Sequence, residues 1–119
     1  MTKIRLYGIA NCDTIKKARA WLDRQGVAYQ FYDYKKVGID AVTLRRWSDA
    51  VGWEMLLNRA GTTFRKLSDA DRADLDREKA IALMLAQPSM IKRPVLDRDG
   101  VLTVGFAPDR YQAIFECAA

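Results

Sequence analysis

The spacing of apolar residues changes several times along the chain, and each change marks an element. Over residues 3–7, Ile4 and Leu6 fall on one side and Lys3 and Arg5 on the other, the alternation of a half-buried strand. Residues 8–13 are polar and glycine-bearing, a loop. From 14 to 25 the period lengthens: Ile15, Ala18, Trp21 and Leu22 share one helical face, with Asn11 or Asp13 as the expected cap and Gly26 as the stop. Residues 28–34, with Tyr29, Phe31, Tyr32 and Tyr34, predict a second strand. Strand, helix and strand within 34 residues form a βαβ unit, which implies parallel pairing.

The middle reads as helical. Residues 40–51 open after Gly38 with Val42, Leu44 and Trp47 as apolar points, and 53–59 carry Met55, Leu56 and Leu57. Arg59 then reads as a cation at the end of a short helix. Residues 61–63 predict a break. Ser68 to Asp71 read as a helix start, with acidic residues in the first turn, and 80–86 continue that helix until Gln87-Pro88 ends it.

Strands return near the C-terminus. Residues 94–96 and 101–104 are apolar, and the Asp99-Gly100 pair between them signals a hairpin. Residues 109–117 predict a closing helix with Tyr111, Ile114 and Phe115 inward and Pro108 at its first turn. The order β-α-β, helices, β-β-α is that of an α/β, thioredoxin-like fold. It predicts one domain over residues 1–119, with a helical insertion at 40–90 between the second and third strands.

Composition narrows the chemistry. The chain has 119 residues, 50% of them hydrophobic, enough for a real core. It has no histidine and two cysteines, which excludes imidazole bases, Ser-His-Asp triads and the usual zinc sites. The longest purely apolar run, residues 80–86, is far short of the ~20 that a membrane span needs. The start lacks the apolar core of a signal peptide. A cytoplasmic protein is expected, with no membrane partner, no metal and reduced thiols. Residues 1–47 hold 10 basic and 4 acidic side chains, the rest 10 and 11. This favours an anionic partner, although the basic residues lack the dense, aromatic-interleaved stripe of a nucleic-acid binder.

Cys12 is the candidate nucleophile. A thiol beside a helix N-terminus faces unpaired N–H groups and the positive end of the dipole, which stabilise its thiolate; Lys16 and Lys17 add positive charge. The other common use of a free cysteine is as a small core residue. The polar neighbours Asn11, Asp13 and Thr14 argue against that. Position 15 is Ile, so no second thiol resolves an intermediate within the motif. Cys117 reads as an incidental terminal thiol. Arg93-Pro94 precedes a strand, where proline costs no ladder donor, and its peptide bond is cis or trans on sequence grounds.

Taken jointly, Tyr7 to Thr14, Trp53 to Arg59, Gly61 to Leu67, Ile91 to Val95 and Val104-Gly105-Phe106 resemble the arsenate reductase-related (ArsC) family. Within it they are most similar to the small YffB-like branch, with Spx regulators as relatives. The resemblance covers essentially the whole chain and implies a thioredoxin-like fold with a helical insertion. It matches Cys12 to the family's attacking cysteine and Arg59 and Arg93 to two of three anion-holding arginines. The third falls near Phe106-Ala107, where this chain has none; Arg110 is close but not aligned.

The resemblance implies a glutathione-dependent thiol-disulfide reductase with no tightly bound cofactor and glutathione as co-substrate. Its partners would be a small or protein disulfide and, further, glutaredoxin. Cys12 would attack the disulfide, and a second glutathione would attack the mixed disulfide at the Cys12 sulfur. Arg59 and Arg93 would bind glutathione carboxylates, with Asn11, Asp13, Thr14, Lys16 and Pro94 completing the site and Asp13 and Thr14 supplying loop and cap hydrogen bonds. The alternatives are arsenate reduction coupled to glutathione and glutaredoxin, which the absent third arginine weakens, and an Spx-like redox regulator of RNA polymerase, which Ile15 weakens.

Overall fold

A computed structural model of the chain describes residues 3–116. It divides into a sheet-bearing unit, which runs to Tyr32 and resumes at Arg93, and a helical unit, Asp33–Lys92.

In the sheet unit, β1 (Ile4–Gly8) leads to α1 (Asp13–Arg24) and then to β2 (Gln30–Asp33). After the helical unit come β3 (Val95–Arg98), β4 (Val101–Val104) and α8 (Pro108–Glu116). The strand order is β2-β1-β3-β4, with β3 antiparallel to both β1 and β4. This is a thioredoxin-like sheet, interrupted between its second and third strands by helices. Ile4, Leu6 and Leu96 on the strands, Ala18, Trp21 and Leu22 on α1, and Tyr111 on α8 form one buried cluster. The 3.6-residue spacing on α1 and the alternation on β1 therefore both point into the same core.

Local signals explain most boundaries. α1 stops because Gly26 takes φ 68°; the Gly26 N–H then donates to Asp23 O at 3.1 Å and Val27 N–H to Leu22 O at 3.0 Å, a Schellman closure. The β3–β4 turn uses Asp99 at φ 51° and Gly100 at φ 90°, the paired positive angles of a type I′ hairpin. Asp99 also accepts from Lys3 N–H at 2.7 Å and Asp97 from Gly100 N–H at 2.7 Å.

The helical unit departs further from expectation. Tyr34 leaves the second strand to start α2 (Tyr34–Val37), because Asp33 caps it by accepting from Lys35 N–H at 3.0 Å. Asp40 caps α3 (Ala41–Val51) through Thr43 N–H at 2.8 Å. α4 is only Trp53–Leu56, since Leu57 turns out into an antiparallel bridge with Ile91. Arg59 is consequently in a turn and not at a helix end. The expected break at residues 61–63 instead opens α5 (Thr62–Arg65), with Gly61 as its N-cap. The single helix expected from Ser68 to Ala86 is two: α6 (Asp69–Arg72) and α7 (Arg77–Ala86). Asp74 at φ 52° interrupts them, and Asp76 recaps the chain through Lys79 N–H at 2.8 Å. A 3₁₀ turn, Pro88–Met90, follows. α3 packs on α4 and α7, with Leu44, Trp47, Leu56, Ile81 and Met84 buried.

Candidate functional site

The strand register gathers the candidate site at one end of the sheet. Tyr7 pairs with Val95, and Val95 with Val104. The next residues out are Gly8, which leaves β1 toward Cys12, Pro94, which enters β3, and Gly105, which leaves β4. Gly105 N–H donates to Pro94 O at 2.9 Å, so the Arg93-Pro94 segment is laced into this end. The Arg93–Pro94 peptide bond, left open by the sequence, is cis. Pro94 is buried and Arg93 half-buried.

Cys12 is half-buried and is a free thiol. It is itself the N-cap residue of α1, with φ −132° and ψ 132°. The cap expected from Asn11 or Asp13 is therefore displaced by one position: Asn11 is an exposed turn residue and Asp13 is the first residue of the helix. The Cys12 carbonyl accepts Lys16 N–H at 3.0 Å, but its side chain makes no capping hydrogen bond. The N–H groups of the first turn are thus left facing the position that a cap side chain occupies. The side chains of Asp13 and Thr14 make no hydrogen bond among the described residues, so the cap and loop bonds expected of them are not made. Lys16 and Lys17 are exposed on the first turns. Ile15, at the place of a second thiol, is fully buried.

The sheet unit thus brings Cys12, Asn11, Asp13, Thr14 and Lys16 to the same sheet end as Arg93 and Pro94. Arg59 belongs to the helical unit, where it is exposed in the turn after the Leu57–Ile91 bridge. Asn58 shapes that turn by donating N–H to Met90 O at 2.8 Å and accepting Ala60 N–H at 3.2 Å. Cys117 lies outside the described residues.

Arg110 has a different task. Its Nη2 donates to Val104 O at 3.1 Å. Because Gly105 N–H points at β3, the Val104 carbonyl on the same peptide points the other way, to the free edge of β4. Arg110 therefore satisfies a carbonyl at the sheet edge. A residue that sequence reading missed is Gly8: a Cβ there would lie 2.8 Å from Ile15 Cγ1 and nearer still to Cδ1. The only signal was a glycine at a strand end, seven positions before a buried helical residue.

Among the described residues no group of three or more His, Cys, Asp or Glu side chains could hold a metal, and no helix is long and apolar enough to cross a membrane.

Comparison with known proteins gives the family and the fold. The model of the ArsC family matches residues 7–114. The solved structure of a YffB (PA3664) protein is 65% identical, covers 93% of this chain and 97% of its own, and superposes with a TM-score of 0.90. An arsenate reductase (ArsC) related protein from Brucella melitensis is 60% identical, with 95% and 94% covered and a TM-score of 0.79. The global transcriptional regulator Spx of Streptococcus mutans is 27% identical, over 92% of this chain and 81% of its own.

Proposed function

The chain belongs to the ArsC family, and on that premise we propose that it is a thiol oxidoreductase, specifically a glutathione-dependent thiol-disulfide reductase with Cys12 as its nucleophile. The observation that carries this reading is the placement of a free, half-buried thiol at the N-cap of a twelve-residue helix whose first-turn N–H groups have no side-chain cap. A thiolate there receives the hydrogen bonds and the dipole that a carboxylate cap would otherwise take.

In the first step the Cys12 thiolate attacks the glutathione sulfur of a mixed disulfide. The S–S bond breaks, a Cys12–glutathione disulfide forms, and the substrate leaves as its thiolate. In the second step a glutathione thiolate attacks. Attack at the Cys12 sulfur, as the sequence reading had it, only exchanges one glutathione for another. Attack at the glutathione sulfur releases oxidised glutathione and returns the Cys12 thiolate, so the cycle closes there. Ile15 supports this external route, since the Cys12 motif holds no second thiol to compete for the intermediate. Arg93, half-buried at the same sheet end, is the proposed partner for a glutathione carboxylate through its two-pronged fork. Arg59 enters on the family resemblance alone, as a second carboxylate ligand. Lys16, Asn11 and the first-turn amides would frame the anion.

The test is glutathionylation followed by turnover. Wild-type protein treated with oxidised glutathione should gain one glutathione by mass at Cys12, lose it to reduced glutathione, and turn over a small glutathione mixed disulfide. Cys12→Ser should do none of these. Arg93→Ala should raise KM about tenfold or more, the worth of a charge-assisted bond of ~1.5–3 kcal/mol; Arg59→Ala is read the same way. No adduct and no turnover would overturn the reading. The 60% identity to an arsenate reductase-related protein keeps arsenate as the competing substrate, and faster turnover of arsenate than of the disulfide would select it.

A further inference from the structure

We infer that Gly8 is a positioning residue for Cys12, acting through the buried side chain of Ile15. This rests on the reading of Cys12 as nucleophile and adds how its sulfur is held.

Gly8 is the last residue of β1 and is buried. Its missing Cβ is what lets Ile15 sit against the strand: the built position falls 2.8 Å from Ile15 Cγ1 and nearer still to Cδ1, with Phe31 Cε1 at 4.0 Å on another side. A flexible surface side chain would swing away from such a clash. Ile15 has no exposed surface to swing into, and its β-branched χ1 is stiff in a helix. Relief must come from moving the first turn of α1 or from disturbing the packing around Ile15.

Ile15 is also the third residue of α1, counting Asp13 as first. The N–H at that position, or at the one before it, is the donor that an N-cap side chain takes. One residue therefore does two things: its side chain docks α1 on Gly8, and its backbone forms part of the first turn that Cys12 caps without a side-chain hydrogen bond. The contact between Gly8 and Ile15 sets the distance between the end of β1 and the first turn, and with it the position of the Cys12 sulfur relative to those amides. No other described glycine is approached this closely by a buried side chain.

The test reads the thiol without glutathione, so it stays informative if the reductase reading fails. Wild type, Gly8→Ala, Ile15→Val and Gly8→Ala/Ile15→Ala are compared for iodoacetamide alkylation of Cys12 against pH, with melting temperature measured alongside. Gly8→Ala should lower the neutral-pH rate about threefold and move its pH profile upward, as the first turn shifts beside the sulfur. Removing the clashing atoms with Ile15→Ala in the same protein should bring the profile back. Ile15→Val, which deletes only the Cδ1 methyl, is the mild arm and serves if the alanine variants do not fold; it should shift the profile in the same direction, by less. A lower melting temperature with an unchanged alkylation profile in Gly8→Ala, or in Ile15→Val where that arm is used, would leave Gly8 a packing residue and overturn the inference. So would failure of Ile15→Ala to restore the profile in a folded double variant.

Discussion

In the helical unit the two long helices each begin at an aspartate that accepts a first-turn N–H, Asp40 for α3 and Asp76 for α7. In the sheet unit α1 is the longest helix among the described residues, yet its cap is Cys12, which makes no such bond. The sheet unit compensates with burial: Ile15, Ala18, Trp21 and Leu22 lie on one buried face of α1, and aromatic rings extend the cluster, Trp21 to Tyr111 at 5.7 Å and Phe106 to Tyr111 at 4.8 Å. The comparison shows where each unit can tolerate loss. A helix docked on a sheet by its apolar face does not need its best cap, and the vacated cap is where a reactive group can sit.

The largest expected effect tests the burial side of this contrast. Tyr111 is fully buried in the sheet unit, and its hydroxyl has no hydrogen-bond partner among the described residues. Burial pushes the hydroxyl well above the ordinary tyrosine range, with the charge of Arg110 pulling weakly the other way. The folded state therefore holds its proton more tightly than the unfolded chain. That stability is complete below the ordinary value of ~10 and is lost as pH rises past it. Tyr111→Phe removes an unpaired polar atom at little change of shape, so it should stabilise by up to ~1–3 kcal/mol. It should also flatten the alkaline decline. Urea unfolding at pH 8 and pH 10.5 checks both; a destabilised variant would mean that the hydroxyl is paired in solution.

Cys12→Asp tests the capping side. Aspartate at this position can accept from the first-turn amides as Asp40 and Asp76 do, so the variant should be more stable by ~0.5–2 kcal/mol while losing all thiol chemistry. Thermal unfolding of the two proteins decides it, and a lower melting temperature would show that α1 gains nothing from a cap.

Legibility followed the same division. β1, α1, the Asp99-Gly100 hairpin and α8 were readable because their signals are local: alternation, a 3.6-residue face, positive-φ turn residues and Pro108. Cys12 and the Arg93-Pro94 pair were readable as site candidates for the same reason. The helical unit was read with wrong boundaries because pairing between distant residues decides them. Leu57 leaves its helix only because Ile91, 34 positions on, offers a bridge. Asp74, a non-glycine residue, adopts φ 52° and splits a pattern that periodicity joined. The identity of the α1 cap failed by one residue, because cysteine is not a capping type and Asn11 and Asp13 are. The approach of Gly8 to Ile15 was invisible, since it depends on how the helix lands on the strand.

The smallest effect is expected at Asp40, and it separates charge from hydrogen bonding in the helical unit. Its carboxylate is fully exposed and is held below the ordinary aspartate value by hydrogen bonds from the Thr43 side chain and N–H, with Arg46 adding a weaker attraction. A lowered folded value means that the unfolded chain binds a proton first. The contribution is present above the ordinary value of 3.8 and disappears as pH falls through the folded one. Asp40→Asn keeps a side-chain acceptor at the cap but cannot titrate. At neutral pH the variant should unfold at the same temperature as wild type, since asparagine caps about as well as aspartate. Below pH 4 the two should part: protection of the Thr43 amide from exchange, measured against its intrinsic rate at the same pH, should fall in wild type as its cap protonates and hold in the variant. Equal acid sensitivity would place the loss elsewhere than at this cap. The capping contrast between α3 and α1 would then rest on geometry and not on charge.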